Sequence, residues 1–286
     1  MAKIEFAVMD GLGNTYIYVD ADRFTIPDPS AFSVKWSPVY KTDGLILISR
    51  SKVADFKMRI FNNDGSEAMM CGNGSRCVGK YVYDNGLTDK TEITLETLAG
   101  IKIIKLIIED GVATGATVDM GEPLLANKEQ VATEDGSLKG QALKAWGNEY
   151  EATFVCMGNP HCVIFVDDIN KIDLEKVGPF LEHSPFFPQR ANVEFVQKLP
   201  DGNLRMRVWE RGSGITMACG TGACATAVAA AKAGIAGRES VVSMDGGDLH
   251  IRWDEMDGHV YMTGPAETSF ICELDAVYML DNGTKQ

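Results

Sequence analysis

The chain has 286 residues, 45% hydrophobic and 23% charged, which is the make-up of a globular protein of about two domains and excludes a disordered or fibrous one. Its 40 acidic and 27 basic residues leave a net charge of -13 with no cluster of Lys and Arg, which argues against a nucleic-acid partner. Seven cysteines fit reduced thiols better than a disulfide framework, and no membrane-length apolar run or leader-like start is visible, so the expectation is a cytoplasmic protein with no membrane partner.

In chain order, residues 3–9 form a strand pattern that ends in the turn-rich Asp10-Gly11-Leu12-Gly13-Asn14, where Asn14 is expected to be exposed. Strand patterns follow at 16–19, 45–49 and 56–61, the last broken by the turn residues Asn62 to Ser66. Past Cys71 a helical run reaches Asn85-Gly86, where glycine suits a C-terminal cap. Short strands are expected at 92–97, 101–108, 112–119, 152–156, 162–166, 204–209, 239–244, 249–253 and 259–263. Residues 223–231 are small or apolar on nearly every face, as suits a helix enclosed by other structure. A last strand is expected over 269–280.

One pattern occurs twice. Met58-Arg59-Ile60-Phe61, Met69 and Cys71-Gly72-Asn73-Gly74 recur as Met206-Arg207-Val208-Trp209, Met217 and Cys219-Gly220-Thr221-Gly222, all offset by 148 residues. A single long period indicates a duplicated domain, not a solenoid. The expected fold class is α+β: two pseudo-symmetric domains, each a mainly antiparallel sheet or barrel wrapped round a central helix. The halves are placed at 1–119, completed by the C-terminal 266–286, and at 120–265. Their Cys-Gly-x-Gly elements are expected to meet across the junction.

A cysteine at a helix start sits among unpaired backbone N–H groups and near the positive end of the helix dipole, both of which favour the thiolate. The adjacent glycines leave amides uncovered for a carboxylate. Two such ends acting together suggest proton transfer next to a carboxylate, one thiolate removing the proton while the other thiol delivers one to the opposite face.

The motifs Asn62-x-Asp64-Gly65-Ser66-Glu67, Cys71-Gly72-Asn73-Gly74-x-Arg76-Cys77, Gly158-Asn159-Pro160-His161, Glu210-Arg211-Gly212 and Ala218-Cys219-Gly220-Thr221-Gly222-Ala223-Cys224 resemble those of the diaminopimelate epimerases over nearly the whole chain. The resemblance implies cofactor-independent interconversion of LL- and meso-diaminopimelate, for lysine and cell-wall synthesis. By it Cys71 and Cys219 are the acid–base pair, and His161 and Glu210 assist their proton exchange. Gly72, Asn73, Gly220 and Thr221 hold the reacting carboxylate, and Asn14, Asn62, Asn159, Asn192, Glu210 and Arg211 read the distal end. The guanidinium fork of Arg211 suits a carboxylate. The expected partner is a small amino acid substrate, with a homodimer allowed.

Two departures bear on the substrate. Asp10 stands where the family usually has histidine, and the stretch Trp36-Ser37-Pro38-Val39-Tyr40-Lys41-Thr42 replaces an Arg-His and glycine-rich run that is a loop near the substrate. A racemase of another amino acid, histidine for one, is therefore the rival reading, and a non-catalytic amino acid binding protein a third. Cys77, Cys156, Cys162, Cys224 and Cys272 are expected in the core. No cysteine spacing matches a zinc module, so no metal is expected, nor does any lysine motif indicate pyridoxal phosphate. His183, His250 and His259 are expected at the surface or in structural roles.

Overall fold

A computed structural model describes residues 3–138 and 142–275. The chain forms two compact units, one running to Val118 and resuming at Gly264, the other spanning Asp119–Thr263.

The first unit begins with β1 (Lys3–Asp10) and β2 (Thr15–Asp20), continues through α1 (Pro29–Tyr40) to β3 (Gly44–Arg50), β4 (Phe56–Asn62) and the short β5 (Glu67–Ala68), and enters α2 (Gly72–Asp84) before β6 (Glu92–Thr97), β7 (Gly100–Glu109) and β8 (Val112–Asp119). β1 pairs antiparallel with β2, β2 parallel with β3, β3 antiparallel with β4 and β4 parallel with β6. Parallel neighbours need a crossover, and α1 and α2 supply the two. The 45–49 strand reads as continuously apolar because both its faces are covered. Leu45 and Leu47 join Phe6, Ile17 and Phe32 in a cluster that Trp36 and Tyr40 of α1 also touch. On the opposite face Ile46 lies against α2, where a Cβ on Gly74 would stand 2.8 Å from Ile46 Cδ1.

Residues 36–40 are thus not a loop but the end of α1. Its signals are local: the Asp28 side chain accepts from the Ala31 amide, Pro29 occupies the first turn, and Lys41 ends the helix in the left-handed region at φ 55°. Apolar periodicity does not reveal it because the residues facing the sheet include Ser33 and Ser37, both fully buried.

The second unit repeats this order. It contains β9 (Ala142–Ala145), β10 (Asn148–Cys156), β11 (Pro160–Phe165), α3 (Leu174–Glu182), β12 (Asn192–Lys198), β13 (Leu204–Glu210), β14 (Gly214–Thr216), α4 (Gly220–Lys232), β15 (Glu239–Met244), β16 (Gly247–Trp253) and β17 (Val260–Pro265). Its pairing matches that of the first unit: β10 antiparallel with β11, β11 parallel with β12, β12 antiparallel with β13 and β13 parallel with β15. β3, β4 and α2 have counterparts in β12, β13 and α4 at the 148-residue offset. α3 and β12, which the sequence pattern left unassigned, fill the places of α1 and β3. The expected enclosure of the central helices is found: every residue of α2 from Gly72 to Val82 is buried, as is nearly all of α4.

The final strand, β18 (Glu267–Asp275), pairs antiparallel along β1, from Lys3 opposite Asp275 to Asp10 opposite Glu267. The part of the expected last strand at 276–280 lies outside the described residues. Cys272 on β18 is half-buried rather than in the core, whereas Cys77, Cys156, Cys162 and Cys224 are buried as expected. His183 caps the Pro179 carbonyl, and His259 pairs with Asp119 at 2.9 Å. Among the described residues no helix is long and apolar enough to cross a membrane.

Candidate active site

In the first unit the chemistry gathers at the start of α2. Cys71 is the N-cap residue, extended at φ -133° and ψ 116°, and its thiol accepts from the Gly74 amide at 3.3 Å. Gly72 and Asn73 follow as the first helical residues, whose amides have no intrahelical acceptor. Asn73 is buried and donates through Nδ2 to Asn14 Oδ1 at 2.6 Å, while its own Oδ1 accepts from Arg76 Nη1 at 2.9 Å. Asn14 is therefore half-buried and engaged, not freely exposed.

Arg76 is the largest fully buried side chain among the described residues, and it also donates to the carbonyls of Gly11 and Pro265. It ties the turn at 10–14 to the first turn of α2. A Cβ at Gly11 would stand 2.6 Å from the Asn73 carbonyl oxygen, so only glycine permits this approach. Asp10 closes the same turn, accepting from the Gly13 amide at 2.9 Å and from Thr15 Oγ1 at 2.7 Å. Asn62 ends β4 and donates to Ser66 Oγ. α1 supports it from behind: Ser33 Oγ lies 2.8 Å from the Phe61 and Asn62 carbonyls, and Ser30 donates to the Gly65 carbonyl.

The second unit repeats the cap and adds ionisable groups. Cys219 precedes Gly220 at the start of α4 with φ -134° and ψ 109°, and its thiol accepts from the Gly222 amide at 3.4 Å. Thr221 Oγ1 lies 3.6 Å from the sulfur and accepts from Asn159 Nδ2 at 3.4 Å. Asn159 Oδ1 is 3.0 Å from His161 Nε2, and His161 Nδ1 is 2.6 Å from Glu194 Oε1. His161 and Glu194 are both fully buried. A continuous hydrogen-bonded chain thus runs from the thiol at the α4 cap to a buried carboxylate.

Glu210 ends β13 and accepts from Thr216 Oγ1 at 2.5 Å. Burial pushes its carboxyl above the usual range, against the lowering effects of the Thr216 hydrogen bond and of His161. Burial likewise pushes the Cys219 thiol well up, and the charges of Glu210 and Glu194 add to the rise. The expected thiolate-favouring effect of the helix end is present in the Gly222 hydrogen bond but is outweighed. A helix end contributes about 0.3–1 kcal/mol, less than one pKa unit, whereas burial shifts a group by up to about 3–5 units. Cys219 is a thiol in this environment.

Asn192 uses both ends of its amide within the protein, donating to the Pro160 carbonyl and accepting from the Arg211 backbone amide. The exposed Arg211 guanidinium donates to the Gln189 carbonyl and pairs with no carboxylate among the described residues. The loop that carries it is fastened by Glu182, which is buried and accepts from the Gly212 amide and from Trp209 Nε1. Glu182, Glu194 and Arg76 are the residues that sequence reasoning missed as parts of these sites. Glu194 had one available signal: an acidic residue between the apolar Val193 and the run Phe195-Val196.

A model of the diaminopimelate epimerase family matches residues 6–126 and 153–269. The chain belongs to the diaminopimelate epimerase family. A diaminopimelate epimerase of Phocaeicola vulgatus is 62% identical over 95% of this chain and 98% of its own length. That of Bacteroides thetaiotaomicron is 54% identical over 96% and 98%, and that of Methanococcus maripaludis 49% identical over 95% and 100%. Among solved structures, a PhzF-family phenazine biosynthesis protein of Bacillus anthracis aligns over 96% of this chain and 100% of its own with a TM-score of 0.70 at 19% identity. A hydroxyproline epimerase of Agrobacterium vitis gives a TM-score of 0.67 at 16% identity over 98% and 96%. These structural likenesses establish the α+β diaminopimelate epimerase fold.

Proposed function

We propose that the protein interconverts LL- and meso-2,6-diaminopimelate by two-base proton transfer at one α-carbon, with Cys71 and Cys219 as the bases and no cofactor. The observation that carries this is the matched pair of helix caps, each a cysteine whose sulfur accepts from the amide three residues on. Starting with Cys71 as thiolate and Cys219 as thiol, the thiolate takes the α-proton and the carbanion takes the proton of Cys219. Cys71 ends as thiol and Cys219 as thiolate, and the stereocentre is inverted. The reverse direction begins from that second state.

In this scheme the helical amides at Gly72, Asn73, Gly220 and Thr221 hold the reacting carboxylate, as helix N-termini hold anions. Glu210, whose carboxyl burial raises above its ordinary range, and His161 return protons between turnovers. Arg211, with Asn14, Asn62 and Asn159, reads the distal amino acid end. Asn192 serves that end by holding the Arg211 backbone. The enzyme then supplies meso-diaminopimelate for lysine and cell-wall synthesis in the cytoplasm.

The deciding measurement is wash-in of deuterium from D2O into a panel of amino acids that includes diaminopimelate and histidine. Exchange at the α-carbon of diaminopimelate, with inversion, is expected. Exchange with another amino acid alone would move the substrate and leave the chemistry standing.

A further inference from the structure

Glu194 is a fully buried carboxylate that the scheme above leaves without a task. Its Oε1 lies 2.6 Å from His161 Nδ1, and its Oε2 has no hydrogen-bond partner among the described residues. It also stands directly under the cap of α4, where a Cβ added at Gly222 would be 2.9 Å from Oε1. Burying a charge is costly unless it is paired, so a carboxylate half-satisfied in this position needs a reason. β11 and β12 create the pairing, because their parallel register sets Cys162 and His161 beside Val193 and Asn192 with Glu194 one step on.

We propose that Glu194 is a positioning residue of the epimerisation: it holds His161 by Nδ1, so that Nε2 is the nitrogen through which the ring gains and loses its proton. A carboxylate is acceptor-only, so Nδ1 carries a hydrogen. The second ring nitrogen then faces Asn159, Thr221 and the Cys219 sulfur in sequence. With Nδ1 protonated, the 3.0 Å contact of Nε2 with Asn159 Oδ1 is a hydrogen bond only while Nε2 also carries a proton; with Nε2 bare, the Asn159 amide has to turn its Nδ2 toward the ring. This is the arrangement by which a partner of one ring nitrogen sets the chemistry of the other.

The groups that feel Glu194 are His161 and Cys162 of β11, Glu210 of β13 and Cys219 of α4. Its charge opposes the thiolate of Cys219, which helps to keep that sulfur the proton donor of the resting pair. The role rests on the epimerase chemistry proposed above, but part of its test needs no substrate.

The test compares wild type with Glu194→Gln and Glu194→Ala, with thermal melts confirming folding. Nitrogen-15 NMR of the His161 ring is expected to show Nδ1 protonated in wild type and a shift toward the Nε2-protonated tautomer in Glu194→Ala. Iodoacetamide should label Cys219 several-fold faster in Glu194→Gln than in its parent, both in a Cys71→Ala background. With diaminopimelate, kcat should fall about 10- to 100-fold in Glu194→Gln while KM stays within about twofold. If Glu194→Ala does not fold, Glu194→Gln decides alone. A wild-type ring with Nδ1 unprotonated, or a Glu194→Gln enzyme with unchanged kcat, pH profile and Cys219 labelling, overturns the role. Absence of turnover in wild type would overturn the substrate assignment instead, with the NMR and labelling results still deciding the role of Glu194.

Discussion

Cys71 and Cys219 cap helices of equal length in two units of the same topology, and each sulfur accepts from the amide of the residue three positions on. The caps are alike but their surroundings differ. Around Cys219 stand Glu210 and Glu194, which favour the thiol, whereas Cys71 is half-buried at a cap whose first turn carries the hydrogen bonds of Asn73 to Asn14 and Arg76. Such asymmetry suits the proposal that the two sulfurs begin each turnover in opposite protonation states.

Serine substitution reads out that division. A hydroxyl is a far weaker acid than a thiol, so Cys71→Ser and Cys219→Ser should each lose epimerisation by about 100-fold or more. Elimination from a substrate bearing a good leaving group needs only one base. Each mutant should therefore eliminate from the configuration whose proton its remaining cysteine removes, and the two preferences should be opposite. A shared preference, measured with resolved stereoisomers, would refute the two-thiol assignment.

Arg211→Lys keeps a positive charge but removes the fork that binds both oxygens of a carboxylate. KM for diaminopimelate should rise about tenfold or more, equivalent to at least about 1.4 kcal/mol. Unfolding should be unaffected, because the loop is fastened by its backbone and by Glu182 rather than by the guanidinium. Steady-state kinetics and a thermal melt check both halves of the expectation.

Glu210→Gln should make the protein more stable and less active. The folded carboxyl is raised above its ordinary value of 4.5, so below 4.5 both states are protonated and the charge costs nothing. As pH rises past 4.5 the unfolded chain ionises first and stability falls, until the folded group ionises too. The gain in Tm from glutamine should thus be absent at pH 4, grow as pH rises, and level off above the folded pKa. A gain that was largest at pH 4 would contradict the sign of the shift.

The α1 helix can be probed at two points with different consequences. Asp28→Ala removes the cap and should cost about 1 kcal/mol with little effect on KM. Ser33→Ala deprives the Phe61 and Asn62 carbonyls of a buried donor and should cost about 1–3 kcal/mol. Only the second should speed hydrogen exchange across residues 62–66 and raise KM, because it loosens the turn that carries Asn62.

Much of this was legible in the chain because the same local chemistry is written twice. A cysteine before Gly-x-Gly, preceded by a strand and followed by a helical run, defines its own environment within a few residues. Most of the alternating and apolar strands were also visible, though β12 was not. α1 was not, because serines meet the sheet where apolar residues would mark a helix, and Asp28-Pro29 was the one local sign of it. Glu194 was hidden for a different reason. Its partner His161 is 33 residues away, and only the parallel register of β11 and β12 brings the two side chains together.

The strand β18 gives the chain an unusual order of completion during synthesis. β1 is made well before its antiparallel partner, with the whole of the second unit translated in between. The second unit, by contrast, is one uninterrupted stretch, Asp119–Thr263. The unit begun first in the sequence is therefore the one completed last. Until residues 267–275 are made, that edge of β1 has no antiparallel partner, so a chain cut short before them lacks a strand of the unit that carries Cys71 and none of the residues 119–263.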